Sequence, residues 1–304
     1  MKIALFSGLD CHYEMFGYII YFCAFKKYEL TIYCYQPDHQ GYIDFFNILF
    51  TNFVVHYKEV AIFEKEKYEY NAIFLITDDD YNYDRSDYNI NHKTICIDHY
   101  YKIRNPIFEK RIAVRPFEKE FYRDWALPSY PIINSELKRE LLKTNSINII
   151  VLGCTNGYYD TTIINRIKTK TNKKIIFHAI SRNMSIEKFK GISNSFDLYT
   201  YSNINTYQLF QILSKANYIL TGLTDNKNYT SEIMSGSIPI AFSTLTPLII
   251  SKETNSYYKF KNVIEFDKNS ENDILLEDID IQSLESERDE LIRKNHELFD
   301  SLLQ

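Results

Sequence analysis

Ala216-Asn217-Tyr218-Ile219-Leu220-Thr221, a loop, and then Ser231-Glu232-Ile233-Met234-Ser235-Gly236-Ser237-Ile238-Pro239-Ile240-Ala241 is the stretch whose reading decides the fold. Its first apolar run is short and does not alternate with polar residues, which suits a strand buried on both faces of a sheet between helix layers. Residues 231–235 are expected to form a short helix and residues 238–242 a second buried strand. A strand, helix and strand in that order make a parallel crossover unit. Glu232 stands where that helix begins, and unpaired amides and the helix dipole favour a negative group there.

The same rhythm extends in both directions. Upstream in the second half come a strand at 147–152, a turn at Gly153-Cys154-Thr155-Asn156-Gly157, a helix at 161–168, strands at 174–179 and 197–201 and a helix at 207–215. Downstream lie a strand at 263–266 and a closing helix at 281–303, where Leu284, Leu291, Leu298 and Leu302 recur at helical spacing. The first half reads alike: strand 2–7, a helical stretch at 13–25, strand 30–35, helix 43–53, and strands at 72–76 and 94–97. Between the halves, residues 125–146 carry Pro128 and Pro131 and break the pattern, as an interdomain connection does. A chain of 304 residues accommodates two such units. The expected domains are residues 1–135 and 145–304, each Rossmann-like.

Composition removes several classes of function. Hydrophobic residues at 45% and charged residues at 25% are globular values, so disorder is not expected. A net charge of −5, with no basic run, argues against a nucleic-acid partner, which needs a surplus of Lys and Arg on one face. No apolar stretch reaches the ~20 residues of a transmembrane helix. The opening residues run straight into a strand, without the pattern of a signal peptide. Cys11, Cys23, Cys34, Cys96 and Cys154 are widely spaced and include no CxxC, as expected of reduced thiols in a cytoplasmic protein. The bias toward Tyr, Phe, Ile, Asn and Lys resembles that of giant-virus or AT-rich microbial proteins; the expected compartment is the cytoplasm, a host's if the protein is viral.

The stretch at 216–241 resembles the donor-site signature of GT-B glycosyltransferases: a strand, a loop, a Glu at a helix start, a small-residue helix end with Gly, and a buried strand containing Pro. The resemblance implies two Rossmann-like domains facing a cleft, with the final helix crossing back to the first. It implies transfer of a sugar from a nucleotide-diphosphate sugar to a hydroxyl of a glycan or other acceptor. On the same basis Glu232 would hold the ribose, while Tyr229, Thr230 and Ser231 would meet the phosphates. The loop with Gly153, Asn156 and Gly157 would approach the donor, Arg182 and Lys188 would face the diphosphate, and Tyr201 or Tyr199 would stack on the base. Against this stands a plainer reading, in which Glu232 complements a helix dipole and Gly236 caps a helix.

Retaining members commonly carry a Glu eight residues before the ribose Glu. That position here is Thr224, followed by Asp225, so an inverting mechanism with a general base in the first domain is expected. Asp10 and His12, in the loop after the first strand, are the candidates, with Asp98-His99 a second pair. No metal or resident cofactor is expected, the nucleotide-sugar being a co-substrate. Two other readings remain: a GT-B-like shell that binds nucleotide or glycan without catalysis, and a metal-dependent GT-A enzyme using Asp78-Asp79-Asp80. Neither G-x-G-x-x-G nor a Walker A sequence occurs, and His178 reads as a satisfied strand histidine.

Overall fold

The computed structural model describes residues 1–9, 12–36, 39–76, 88, 93–99, 108–117, 124–153, 160, 162–181, 196–222, 230 and 234–304. Contacts divide the chain into two compact units, Met1–Tyr130 with Glu290–Gln304, and Pro131–Asp289.

Unit 1 runs β1 (Lys2–Ser7), α1 (Phe16–Lys26), β2 (Glu29–Cys34), α2 (Tyr42–Leu49), β3 (Val55–Glu59), α3 (Val60–Glu66), β4 (Ala72–Ile76), β5 (Thr94–Asp98) and β6 (Lys110–Ala113). All six strands are parallel, in the order β3-β2-β1-β4-β5-β6. The inner strands β4 and β5 are buried at every position, as their unalternating apolar sequences require. The outer strands β3 and β6, absent from the sequence-based expectation, mix polar and apolar residues. Sequence reasoning therefore passed over them.

One contact fixes how closely α1 is packed. A Cβ added to Gly17 would lie 2.3–2.6 Å from ring atoms of Tyr130, which is itself buried against Phe46. Alanine at this helical position gains about 1 kcal/mol of helix propensity, but overpacking a rigid buried ring costs about 1–3 kcal/mol. Gly17→Ala is expected to lower stability by a net of up to ~2 kcal/mol. A urea midpoint equal to or above that of the parent would contradict the packing.

Unit 2 runs α4 (Ser135–Leu141), β7 (Ser146–Leu152), α5 (Thr162–Asn165), β8 (Ile167–Thr169), β9 (Lys174–Ser181), β10 (Asp197–Ser202), α6 (Thr206–Ser214), β11 (Tyr218–Leu220), α7 (Ser237–Ser243), β12 (Leu248–Ser251), α8 (Lys252–Tyr258), β13 (Val263–Phe266), β14 (Ile274–Leu276) and α9 (Ile281–Leu303). Its main sheet is parallel throughout, in the order β10-β9-β7-β11-β12-β13, and β8 pairs with β14 in a small second sheet. Renumbered within the unit, the main sheet reads 3-2-1-4-5-6, the same order as in unit 1. Two Rossmann-like domains are thus present.

Two elements differ from expectation. Residues 238–242 are not a strand but part of helix α7, every residue of which is buried. An apolar run buried all round has the same pattern in either conformation, and Pro239 is its third residue, where no intrahelical partner is lost. Ser243 and Thr244 donate their hydroxyls back to the Pro239 and Ile240 carbonyls, at 2.8 and 2.9 Å. The strand expected there is instead β12. Residues 161–168, expected as one helix, hold the short α5 and then β8.

Helix α9 begins in unit 2, and from Glu290 on it belongs to unit 1. Arg288 donates to the Ile133 carbonyl at 2.6 Å within unit 2, and Asn295 to the Leu127 carbonyl at 2.7 Å within unit 1. Phe299, fully buried, meets Tyr18, Phe22 and Phe74 of unit 1. Among the described residues no helix is long and apolar enough to cross a membrane.

Candidate functional site

In a sheet of this order, the chain leaves β1 and β4, or β7 and β11, in opposite directions. That divergence opens a crevice at the carboxyl ends of the strands. The described residues at these two edges are the ones to weigh.

At the edge of unit 1, His12 follows β1 in a left-handed conformation (φ 63°, ψ 24°), and its carbonyl accepts from Met15 N at 3.0 Å to start a 3-10 turn. That turn places Glu14 so that its Oε1 lies 3.3 Å from His12 Nδ1. His99, just after β5, packs against His12 with ring centroids 4.7 Å apart and the rings tilted by 39°, and is 6% exposed. The sheet therefore brings together His12 and His99 from strands separated by β4. Burial pushes the Glu14 carboxyl up, but the hydrogen bond and charge of His12, with a smaller contribution from His99, more than offset it and hold it below the usual range. An ionised Glu14 can only accept, so the His12 Nδ1–H donates the bond between them. Asp98 is otherwise engaged: fully buried, it takes a bidentate pair from Arg111, with Nε to Oδ2 at 2.7 Å, and also accepts from Cys96 Sγ. Asp10 lies outside the described residues.

At the edge of unit 2, β7 is followed directly, and β11 after Thr221, by a glycine with positive φ, Gly153 at 76° and Gly222 at 78°. Gly153 N donates to the Ile180 carbonyl at 2.9 Å. These left-handed turns bring backbone to both sides of the divergence point, where a side chain would be strained. Thr221 and Thr230 are buried beside this edge in sequence. Gly236 has φ −56° and precedes α7, so it does not act as a left-handed helix cap. Asn156, Gly157, Arg182, Lys188, Thr224, Asp225, Tyr229, Ser231 and Glu232 lie outside the described residues, as do Asp78, Asp79 and Asp80.

Tyr201 and Tyr199, on the outer strand β10, are drawn into a polar ladder. His178 Nδ1 lies 3.0 Å from the Tyr201 hydroxyl and its Nε2 lies 3.0 Å from Asn148 Oδ1, with both tyrosine rings stacked alongside. Burial lowers the His178 pKa, and burial, with the neighbouring Tyr199, raises that of Tyr201. His178 is the satisfied strand histidine that its sequence context suggests. Tyr199 keeps an exposed ring, 51% accessible, on the same face.

Glu14 and Gly222 were not singled out from sequence. For Gly222 a signal exists, a glycine just beyond a buried strand; for Glu14 none does, because its role depends on the turn that His12 begins.

No protein-family model and no curated protein matches the chain. Solved structures do. Anabaena HepE in complex with UDP-glucose superposes with a TM-score of 0.58 at 9% identity, covering 99% of each chain. AviGT4, a glycosyltransferase involved in avilamycin A biosynthesis, gives 0.57 at 8% identity, over 100% of this chain and 97% of that one. An alpha-glucosyltransferase in complex with UDP-glucose and DNA containing an abasic site gives 0.54 at 12% identity, over 100% and 95%. At such identities the likeness is one of architecture. With two parallel sheets of the same strand order and end-to-end coverage, the chain has the GT-B fold.

Proposed function

We propose that the protein is a glycosyltransferase that moves a sugar from a nucleotide-diphosphate sugar to a hydroxyl acceptor with inversion, unit 2 binding the donor and unit 1 supplying the base. The observation that carries this reading is the His12–Glu14 pair at the carboxyl edge of the unit 1 sheet. A neutral imidazole oriented by a carboxylate suits a general base, since the carboxylate also steadies the imidazolium that forms. His12 Nε2 takes the proton of the acceptor hydroxyl as its oxygen attacks the anomeric carbon. The bond to the nucleoside diphosphate breaks, and the diphosphate leaves with the electron pair. Donor binding by unit 2 is supported by the glycine turns at Gly153 and Gly222, which let backbone amides approach phosphate. Structures of the same fold that carry UDP-glucose add further support.

Glu232, with Tyr229, Thr230 and Ser231, is proposed to hold ribose and phosphates, and Asn156, Gly157, Arg182 and Lys188 to complete the donor site. Tyr201, its hydroxyl occupied by His178, is proposed to offer the base a ring face. The acceptor is proposed to be a glycan or other hydroxyl compound rather than nucleic acid, since the chain carries a net charge of −5.

Thermal-shift screening against UDP, GDP, CMP and dTDP sugars is expected to raise the melting temperature with one nucleotide class. Transfer with that donor is expected to persist in EDTA. Silence across the panel would reject the reading, and activity lost in EDTA and restored by Mn²⁺ would reject metal independence.

A further inference from the structure

From Glu290 on, helix α9 completes unit 1 by packing against α1. Two polar atoms of this seam, Tyr18 Oη on α1 and His296 Nε2 on α9, are sealed from solvent with no hydrogen-bond partner among the described residues. Both lie among aromatic rings. Tyr18 meets Phe299 at 5.5 Å between ring centroids, and His296 meets Tyr21, Phe22 and Phe25 at 5.6, 5.3 and 5.1 Å. A polar atom buried in this way gives up its hydration and gains no bond in exchange, so nearly all buried ones are paired. The seam that closes the domain is therefore weaker than its apolar content suggests.

The two atoms respond differently to pH. The Tyr18 phenol stays neutral, and burial pushes its pKa further up. An imidazole titrates near neutrality. The neutral ring can leave Nε2 bare, whereas the imidazolium carries a hydrogen on both nitrogens, so Nε2–H would become a charged donor enclosed without an acceptor. The charged groups facing the ring are Asp300, one turn along α9, and Lys26, at the end of α1; Tyr21 adds a hydroxyl. Asp300 and Lys26 pair with one another, so the pull of the carboxylate on a proton and the repulsion of the ammonium oppose each other. Burial, the largest effect, then holds the His296 pKa below its usual value. A docked helix end thus binds this proton less tightly than an undocked one. Docking is at full strength above about pH 6.5, the unfolded value, and weakens as pH falls from there toward the folded value.

We infer that residues 290–304 form an acid-released latch, held against α1 at neutral pH and let go when His296 takes up a proton, which uncovers Phe22 and Phe74 of unit 1. The latch does not depend on the proposed transfer reaction. Hydrogen exchange of the full chain, followed in peptides covering residues 290–304 and corrected for the intrinsic effect of pH, tests it. Opening of this segment is expected to rise by up to about tenfold from about pH 7.5 to about 5.5, where an undocked imidazole is protonated and a docked one is not. His296→Phe keeps an aromatic ring in the seam and cannot titrate, so its opening should change less than about twofold over the same range. Tyr18→Phe removes the other unpaired atom; it should slow opening at both pH values and keep the parent's response. Opening of the parent that does not change with pH overturns the inference. A response that survives in His296→Phe also overturns it, by assigning the titration to another group. If His296→Phe does not fold, NMR titration of His296 in the parent decides: a midpoint below about 6.5 supports the latch, and one at or above it overturns the latch.

Discussion

Replacing Lys138 with methionine is expected to lower the stability of the protein by about 2–5 kcal/mol, the range for removing the donor from buried carbonyls. Lys138 lies on α4, in the stretch the sequence suggested as a connection, yet it is fully buried in unit 2. Its Nζ donates toward the Leu213, Ser214 and Ala216 carbonyls, at 3.3, 3.0 and 2.8 Å, and toward Thr246 Oγ1 at 2.8 Å. These carbonyls belong to the last turn of α6 and the residues after it, which leave acceptors unclaimed and present the negative end of the helix dipole. Leu213 O also accepts from Thr246 Oγ1 and Ala216 N, so the loss falls mainly on Ser214 O and Ala216 O. The sign of the pH dependence follows from burial, which holds the Lys138 pKa well below the ordinary lysine value. The unfolded chain therefore binds this proton more tightly than the folded one. Stability should rise as pH climbs from the folded value toward about 10.4, the unfolded value. Lys138→Met should remove that slope as well as lower the denaturant midpoint at neutral pH. A variant with the parent's midpoint would show that α4 is held by something else.

His12→Ala is expected to reduce the rate of sugar transfer by about 10²–10⁴-fold, the usual loss when a positioned general base is removed. Donor affinity should stay the same, because the proposed donor contacts all lie in unit 2. Glu14→Gln preserves the shape of the neighbour but not its charge, so the imidazolium loses its counter-ion. A smaller loss in kcat is expected, with KM for the donor little changed. Rates of His12→Ala close to those of the parent, with donor still bound, would remove His12 from the chemistry and return attention to Asp10.

The parts of this fold that could be read from sequence are the ones whose neighbours impose a simple pattern. Strands β1, β4, β5, β7 and β9 lie inside their sheets and announce themselves as apolar runs. The outer strand β3 meets a neighbour strand on one side only, and β6 has β5 on one side and no more than a single bridge, from Ala113 to Trp125, on the other. Sequences such as Val55-His56-Tyr57-Lys58-Glu59 satisfy that position without any periodic signal. Helix α7 was mistaken for a strand because full burial erases the difference between the two periods. In the candidate site, Gly153 was accessible because it follows a buried strand directly, and His12 because it lies in the loop after one. Glu14 acquires its role only through the left-handed backbone at His12. Such relations arise from tertiary structure and leave no local mark.

The membership of α9 in both units has a consequence for biogenesis. Residues 290–304 supply Phe299 and Asn295 to a domain whose other residues all precede unit 2. As the ribosome delivers the chain from its amino end, the first domain emerges without its closing piece and waits for the whole second domain to be synthesised. Its apolar seam between Phe22 and Phe74 stays open through that interval. A nonsense mutation or a proteolytic nick near residue 290 would therefore injure the half of the molecule made first, and chaperone dependence should be concentrated there.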